Sequence, residues 1–184
     1  LKVMNAEIIS VGTELLLGNT VNTDTTIIAR ELSRLGINLL FTGTVGDNPA
    51  RLDFTIRQAL SRSDLVITTG GLGPTGDDLT KETIAKAAGK KLVFHEESFR
   101  RIQEHLAGRE MAESEKKQAY LPEGCTVLKN NVGTAPGCAF ETDAGKLVMM
   151  FPGPPSELIP MMRDYGAPYL LKRENAAIVS KNIH

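Results

Sequence analysis

Short apolar runs alternate with amphipathic stretches through the first half of the chain, and the rhythm changes in the second half. Ala6 to Val11 (Ala-Glu-Ile-Ile-Ser-Val) predicts a buried strand that runs out into Gly12-Thr13-Glu14 and Leu15-Leu16-Leu17-Gly18. Asn19 to Asp24 is a polar turn, with Asn22 or Thr23 placed to cap a helix. Ile27, Ile28, Leu32 and Leu35 give that helix its apolar face, and Gly36 stops it. Ile37 to Val45 predicts a second strand, followed by Gly46-Asp47-Asn48-Pro49, a cap residue before a proline suited to a first helical turn. Leu52, Ile56, Ala59 and Leu60 mark the next helix, and Asp64 to Thr69 the next buried strand. Thr80 to Ala88 carries Ile84, Ala87 and Ala88 on a helical stripe, with Gly89 as its stop.

Beyond Gly89 the elements shorten. Lys91 to Phe94 predicts a strand, Glu97 to Leu106 a helix with Phe99, Ile102 and Leu106 inward, and Ser114 to Tyr120 one or two helical turns before Pro122. Thr126 to Leu128, Cys138 to Thr142 and Lys146 to Phe151 read as strands, the last two joined by Asp143-Ala144-Gly145. Phe151-Pro152-Gly153-Pro154-Pro155 is a stiff loop, with Ser156 expected to cap a helix ending near Tyr165. One domain is expected over residues 5–171. Residues 172–184 read as a polar linker and the start of a following segment, so the sequence is expected to be a piece of a longer polypeptide. Alternating strands and helices imply an α/β fold, a mostly parallel sheet with helices on both faces and a later antiparallel edge hairpin.

Composition narrows the possibilities further. With 184 residues, 41% hydrophobic and 23% charged, the chain has enough apolar material for one ordinary core. A net charge of −1 gives no global basic field, and the absence of Trp leaves few stacking surfaces, so no direct nucleic-acid partner is expected. No apolar run approaches the roughly 20 residues that span a bilayer, and no membrane partner is expected. Cys125 and Cys138 have no metal-ligand spacing and read as reduced thiols of a cytoplasmic protein.

The chemistry gathers around Thr68-Thr69-Gly70-Gly71-Leu72-Gly73-Pro74-Thr75-Gly76-Asp77-Asp78-Leu79-Thr80. Strand, glycine-rich loop and helix in that order present backbone amides to an anion. Asp77 and Asp78 at the positive helix end would repel a bare phosphate, which points to a divalent cation between them. Gly71-x-Gly73-x-x-Gly76, with Glu96 and Glu97 about 20 residues on, matches a dinucleotide-binding fingerprint. It stands outside the first strand–helix unit, however, and Pro74 stiffens its turn; no Gly-Lys-Ser/Thr follows, so it is no P-loop either. In open parallel sheets ligands bind beyond the carboxyl ends of the strands. Glu14, Asn22, Asp47, Asp77 and Asp78 are therefore expected on one rim. Singly, each acid reads as a helix-start or cap residue; the functional reading rests on their convergence. His95, His105 and His184 read as solvated, and Lys116 and Lys117 as a solvated face.

Val11-Gly12-Thr13-Glu14-Leu15-Leu16-Leu17-Gly18 with Val21-Asn22-Thr23 resembles the opening of the CinA (competence/damage-inducible protein A) N-terminal domain family. The glycine loop with Asp77-Asp78-Leu79-Thr80, Lys117-Gln118-Ala119, Gly133-Thr134-Ala135-Pro136-Gly137 and Pro152-Gly153-Pro154-Pro155-Ser156-Glu157 are similar to its later blocks, in order, from about Asn5 to Leu171. The resemblance implies the molybdopterin-binding, MoaB/MogA-like fold, a three-layer α/β/α domain. It also implies metal-dependent hydrolysis of the pyrophosphate bond of ADP-ribose or a related nucleotide. Molybdopterin binding or adenylylation, and a non-catalytic competence-associated module, are the alternatives. In the wider fold, acids matching Asp47 and Asp78 are used in catalysis; the family often carries a charged residue where Gly76 stands.

These readings together nominate Asp47, Asp78 and Glu14 as catalytic and Asp47, Asp77 and Asp78 as ligands of Mg²⁺, Mn²⁺ or Co²⁺. Gly12, Thr13, Asn22, Thr68, Gly70, Gly71, Gly73, Pro74, Thr75, Gly153 and Pro154 are nominated to hold the substrate. By the same resemblance, the ligand is a nucleotide such as ADP-ribose or a pterin phosphate, a homo-oligomer is expected, and a full-length protein can carry a C-terminal nicotinamide mononucleotide deamidase domain.

Overall fold

β1 (Asn5–Val11) is buried along both faces, and the sheet grows outward from it. β2 (Asn38–Val45) pairs with it in parallel on one side and β3 (Leu65–Thr69) in parallel on the other. These coordinates come from a computed structural model that describes residues 3–74 and 79–173. The remaining described elements are α1 (Thr13–Leu16), α2 (Asp24–Arg34), α3 (Pro49–Arg62), α4 (Thr80–Ala87), β4 (Leu92–Phe94), α5 (Glu96–Leu106), α6 (Glu113–Lys117), β5 (Tyr120–Pro122), β6 (Thr126–Leu128), β7 (Gly137–Glu141), β8 (Leu147–Phe151) and α7 (Pro155–Met161). The main sheet runs β2-β1-β3-β8-β7-β6, and only β7 runs against its neighbours. This is the expected mostly parallel sheet with an antiparallel edge. The hairpin's second strand, β8, is interior, and β6 forms the edge. β4 and β5 make a separate two-stranded antiparallel sheet; β5 falls where helical turns were expected, because α6 stops at Lys117.

Side-chain alternation along the strands sends one set to each helix layer. Ile8, Leu65, Ile67, Met149 and Phe151 pack with Ile28 and Leu32 of α2 and Leu158 and Met161 of α7. Ile9, Val11, Val66, Val148 and Met150 pack with Leu52 and Ile56 of α3 and Ile84 of α4. Helices thus cover both faces, as a three-layer α/β/α domain requires. Glu7 of β1 carries a charge into this core and is only 4% exposed. Arg62 reaches it at 2.6 and 3.0 Å and the Ser63 hydroxyl at 2.7 Å. Burial alone would raise this carboxyl, but those hydrogen bonds outweigh it and hold it below the usual range.

Local chemistry explains most element ends and corrects others. Asn48 accepts from the Arg51 amide at 3.0 Å and Pro49 opens α3, as expected. Gly36 and Gly89, both at positive φ, follow α2 and α4. His95, expected to be solvated, instead caps α5: its Nδ1 accepts from the Ser98 amide at 3.1 Å and lies 2.7 Å from the Ser98 hydroxyl. His95→Ala should lower stability by about 1 kcal/mol, the usual worth of an N-cap, seen as a lower urea midpoint at unchanged slope. Ser156 does not cap the next helix; α7 begins at Pro155 with Pro154 as its N-cap. A widened π-type turn (Met162–Gly166) continues α7, and residues 167–173 remain helical, so the chain is still helical where a linker was expected to begin. Pro168 has no amide to donate to the carbonyl four residues earlier, which lies in that widened turn. The strand expected around Ile178-Val179 and Ile183 lies outside the described residues. No helix among the described residues is long and apolar enough to cross a membrane.

Candidate functional site

The sheet changes direction of growth between β1 and β3: the chain leaves β1 for β2 on one side and returns to place β3 on the other. A crevice opens beyond the carboxyl ends of such strands. Here it is a cavity of about 690 Å³, within the range of small-molecule sites. Its walls come from the loop after β1 (Glu14, Leu15), the approach to α2 (Val21, Asn22, Asp24), the glycine loop (Thr69 to Pro74), Gln118, the Gly133–Ala135 loop and the Pro152–Pro155 loop.

Each wall is fixed by specific contacts. Gly70 and Gly71 have φ of +85° and +70°, conformations that favour glycine, and turn the chain sharply at the end of β3. The Gly70 amide donates to the Phe151 carbonyl at 3.0 Å. Gly153 lies so close to Gly70 that a Cβ there would sit 3.4 Å from the Gly70 Cα. The two glycine-bearing loops therefore touch, and the stiffness of Pro152-Gly153-Pro154 supports the glycine loop. Asn130 pins the opposite wall: its Oδ1 accepts from the Gly133 amide at 2.7 Å and its Nδ2 donates to Glu157 at 2.7 Å. Gln118 Nε2 donates to the Leu72 carbonyl at 3.3 Å.

Of the nominated residues, Glu14, Asn22, Gly70, Gly71, Gly73, Pro74, Gly153 and Pro154 line this cavity together. Gly12 and Thr13 are next to it without lining it. Asp47 is exposed and faces the α1 turn, where it accepts from the Thr13 amide at 3.3 Å while its own amide donates to the Thr13 hydroxyl at 3.0 Å. Thr68 is fully buried on the α3 face of β3, its hydroxyl without a partner, and its neighbour Thr69 is the one that reaches the cavity. Thr75, Asp77 and Asp78 lie outside the described residues.

The floor carries a residue absent from the nominated set. Asp24 opens α2, is 8% exposed and lines the cavity. Its neighbours are polar: Ser10 is fully buried, accepts from Asn22 Nδ2 at 2.9 Å and lies 3.3 Å from the Thr25 hydroxyl. Burial pushes the Asp24 carboxyl up to about 6, against a hydrogen bond from Thr69 that favours the charged form. Glu7, also buried, has Arg62 beside it and is lowered; Asp24 lines a cavity and is raised. A signal for Asp24 was present in the sequence, because positions 24, 28 and 32 form the buried stripe of α2.

The electrostatics of the walls are one-sided. The described lining carries three carboxylates, Glu14, Asp24 and Glu157, with His105, and no lysine or arginine. Carboxylates and hydroxyls are hard oxygen donors of the kind Mg²⁺ accepts, commonly one or two per ion with substrate phosphates completing the shell. Among the described residues no group of three or more acids, histidines or cysteines is arranged as a ready-made metal cage. The chemistry present therefore suits a cation shared with a ligand.

A glycine-loop cleft in a six-stranded α/β sheet of this order defines the class, and comparison with known proteins agrees. The profile of the family described as probable molybdopterin binding domain matches residues 7–172. A CinA-like protein from Desulfovibrio desulfuricans is 53% identical over 177 residues, which are 96% of this chain and 42% of that protein. The crystal structure of CinA from Thermoplasma acidophilum superposes with a TM-score of 0.81 at 36% identity, covering 88% of this chain and 95% of that one. MoaB from Pyrococcus furiosus shares the fold at a TM-score of 0.61 and 19% identity, over 98% of both chains. The chain belongs to the molybdopterin-binding-domain family and, within it, to the CinA proteins. It spans less than half the length of the curated relative from Desulfovibrio.

Proposed function

We propose that this domain hydrolyses the pyrophosphate bond of ADP-ribose or a related nucleotide in the cytoplasm, with a divalent cation as cofactor. The observation that carries the reading is the charge mismatch in the cleft: a glycine loop built to hold an anion, inside described walls that carry three carboxylates and no lysine or arginine. A diphosphate enters such a site readily only with a cation that screens it from the acids. The amides around Gly70 and Gly71 hold phosphate oxygens, and Gly153 and Pro154 close the opposite side. Glu14 sits exposed at the mouth, placed to orient a water and accept its proton. The water oxygen bonds to one phosphorus, the bridging P–O bond breaks, and the bridging oxygen leaves with its electron pair on the departing phosphate. Mg²⁺, Mn²⁺ or Co²⁺, for which Asp77 or Asp78 remain the nominated holders now that Asp47 faces Thr13 outside the cleft, would supply charge neutralisation when bound.

The test is release of AMP and ribose 5-phosphate from ADP-ribose by the purified chain. AMP is expected with Mg²⁺, Mn²⁺ or Co²⁺, is expected to cease on chelation, and should fall in Asp78→Asn. A folded sample inactive with every metal would overturn the reading. The family match favours one other reading, in which the same loop binds a pterin phosphate for adenylylation or storage; tight pterin-phosphate binding without ADP-ribose turnover would establish it instead.

A further inference from the structure

A second cavity, of about 300 Å³, opens beside the cleft. One wall is a face of α5, where Glu97, Arg101, Glu104 and His105 recur at helical spacing; the other is formed by residues between Val127 and Pro136. Two contacts tie the walls together. Lys129 pairs with Glu97 at 3.3 Å, and Arg101 donates to Asn131 Oδ1 at 2.6 Å and to the Asn130 carbonyl at 3.4 Å. Among the described residues, neither the Glu104 carboxylate nor the His105 ring has a hydrogen-bond or ion-pair partner. His105, Gly133 and Thr134 line both cavities, so one ligand can reach from the glycine loop across Gly133-Thr134 into this space.

The two linings differ in kind. The cleft offers Val11, Leu15, Val21, Leu72 and Pro74 to an apolar surface. The second cavity has Val127 and Pro136 as its only apolar side chains in the described lining. Its other groups mix donors (Arg101, Lys129) with acceptors (Glu97, Glu104), and Asn131 and Thr134 can do either. A flat heterocycle placed there would strip water from those groups without pairing them. A lone phosphate would meet two carboxylates as well as the two cations. A ring of hydroxyls, each a donor and an acceptor at once, matches both sets.

We infer that this cavity is a sugar subsite, which takes the hydroxyl-bearing terminal sugar of a nucleoside diphosphate sugar whose phosphates lie in the glycine loop. Glu104 accepts from one hydroxyl and His105 exchanges a hydrogen bond with another. Arg101 donates through the N–H groups that Asn130 and Asn131 leave free. The base stays in the more apolar cleft, which sets the direction of the ligand across the site. The subsite presupposes a nucleotide in the cleft, as proposed above, and not its hydrolysis.

Calorimetric titration of the purified chain in Mg²⁺ tests this without turnover, using α,β-methylene ADP-ribose, whose P–C–P bridge resists hydrolysis. It is compared with a counterpart carrying a tetrahydrofurfuryl group for the terminal ribose, which keeps charge and ring and removes the hydroxyls. α,β-Methylene ADP, which ends at its phosphates, is the control. The ribose-bearing compound should bind about 10–100-fold more tightly than its tetrahydrofurfuryl counterpart. Glu104→Ala, which breaks no printed contact of the fold, and Arg101→Met should each remove most of that preference. Both should bind α,β-methylene ADP as the wild type does, which also shows them folded. Equal binding of the two sugar compounds by the wild type overturns the inference and leaves the nucleotide reading in place, as does a preference that survives both variants. An equal loss for α,β-methylene ADP overturns the assignment too, because the variants then act through the fold. A wild-type chain that binds none of the three overturns the nucleotide reading and the subsite together. Inactivity towards ADP-ribose with the preference intact would sink the hydrolase reading alone.

Discussion

Gly70→Ala should be among the most damaging single substitutions in this domain, lowering stability by about 3 kcal/mol or more and removing ligand binding with it. Two causes act at once. Gly70 has φ of +85°, which costs an L-residue about 1–3 kcal/mol in strain. A Cβ built there also runs into the Val11 carbonyl oxygen, closer than real Cβ contacts come. That oxygen is backbone at the end of β1, so it cannot rotate away like a side chain. Relief requires the loop to move, and movement breaks the Gly70 amide's bond to Phe151 and the contact with Gly153. In a domain of this size the loss corresponds to a fall of roughly 6–12 °C in Tm. Gly73→Ala is the internal control: its φ is not positive and an added Cβ meets nothing within 4 Å, so stability should stay within about 0.5 kcal/mol. Denaturant midpoints of the two variants at a common slope decide the matter. If Gly70→Ala is as benign as Gly73→Ala, the close approach of β1 and the glycine loop is wrong.

Gly70 was legible in the sequence for a local reason. A β-branched run entering a glycine cluster before a helical stripe is written in neighbouring residues, and the fold realises it as β3, the turn and α4. The same holds for α2, α3 and their stops at Gly36 and before Leu65. What the sequence did not reveal depends on distant partners. Tyr120-Leu121-Pro122 is too short and too proline-bounded to announce a strand, and becomes one only because β4 lies alongside. Nothing near Lys146 states that β8 inserts beside β3. His95 read as a surface residue until its ring met the Ser98 amide. At the site, Glu14, Asn22 and both glycine loops meet in one cleft, as their places after the strands imply, whereas Asp47 faces Thr13 outside it. Asp24 was passed over as turn polarity, because an acid at a helix start has an ordinary capping explanation. Its spacing of four residues from Ile28 places it on the apolar stripe of α2, and the packing of that stripe against the sheet buries it. Gln118 was visible as part of a family block, but an unpaired oxygen is a property of the folded chain alone.

Asp24→Asn should stabilise the folded domain near neutral pH while it weakens ligand binding. The carboxyl titrates near 3.8 when exposed and is pushed up to about 6 by burial in the fold. Below both values it is protonated in either state and contributes no difference. As pH rises from about 4 to 6 the unfolded chain sheds the proton first, so the native state binds more protons and stability falls. Above about 6 the whole cost is in place, on the order of 2–3 kcal/mol for a displacement of this size. Asparagine keeps an oxygen for Thr69 and has no charge to desolvate, so the variant escapes that cost. Its Tm should exceed that of the wild type by roughly 4–10 °C near pH 7, and the advantage should shrink towards zero near pH 4. Glu14, Glu157 and His105 also line the cleft and are common to both proteins, so the difference between the two melting curves isolates Asp24. A difference independent of pH, or a less stable Asn variant at neutral pH, would mean that Asp24 finds a cationic partner in the native chain and is structural. The opposite result, a more stable and weaker-binding protein, is what a buried cleft carboxylate with the Thr69 hydroxyl beside it gives when its charge serves the ligand rather than the fold.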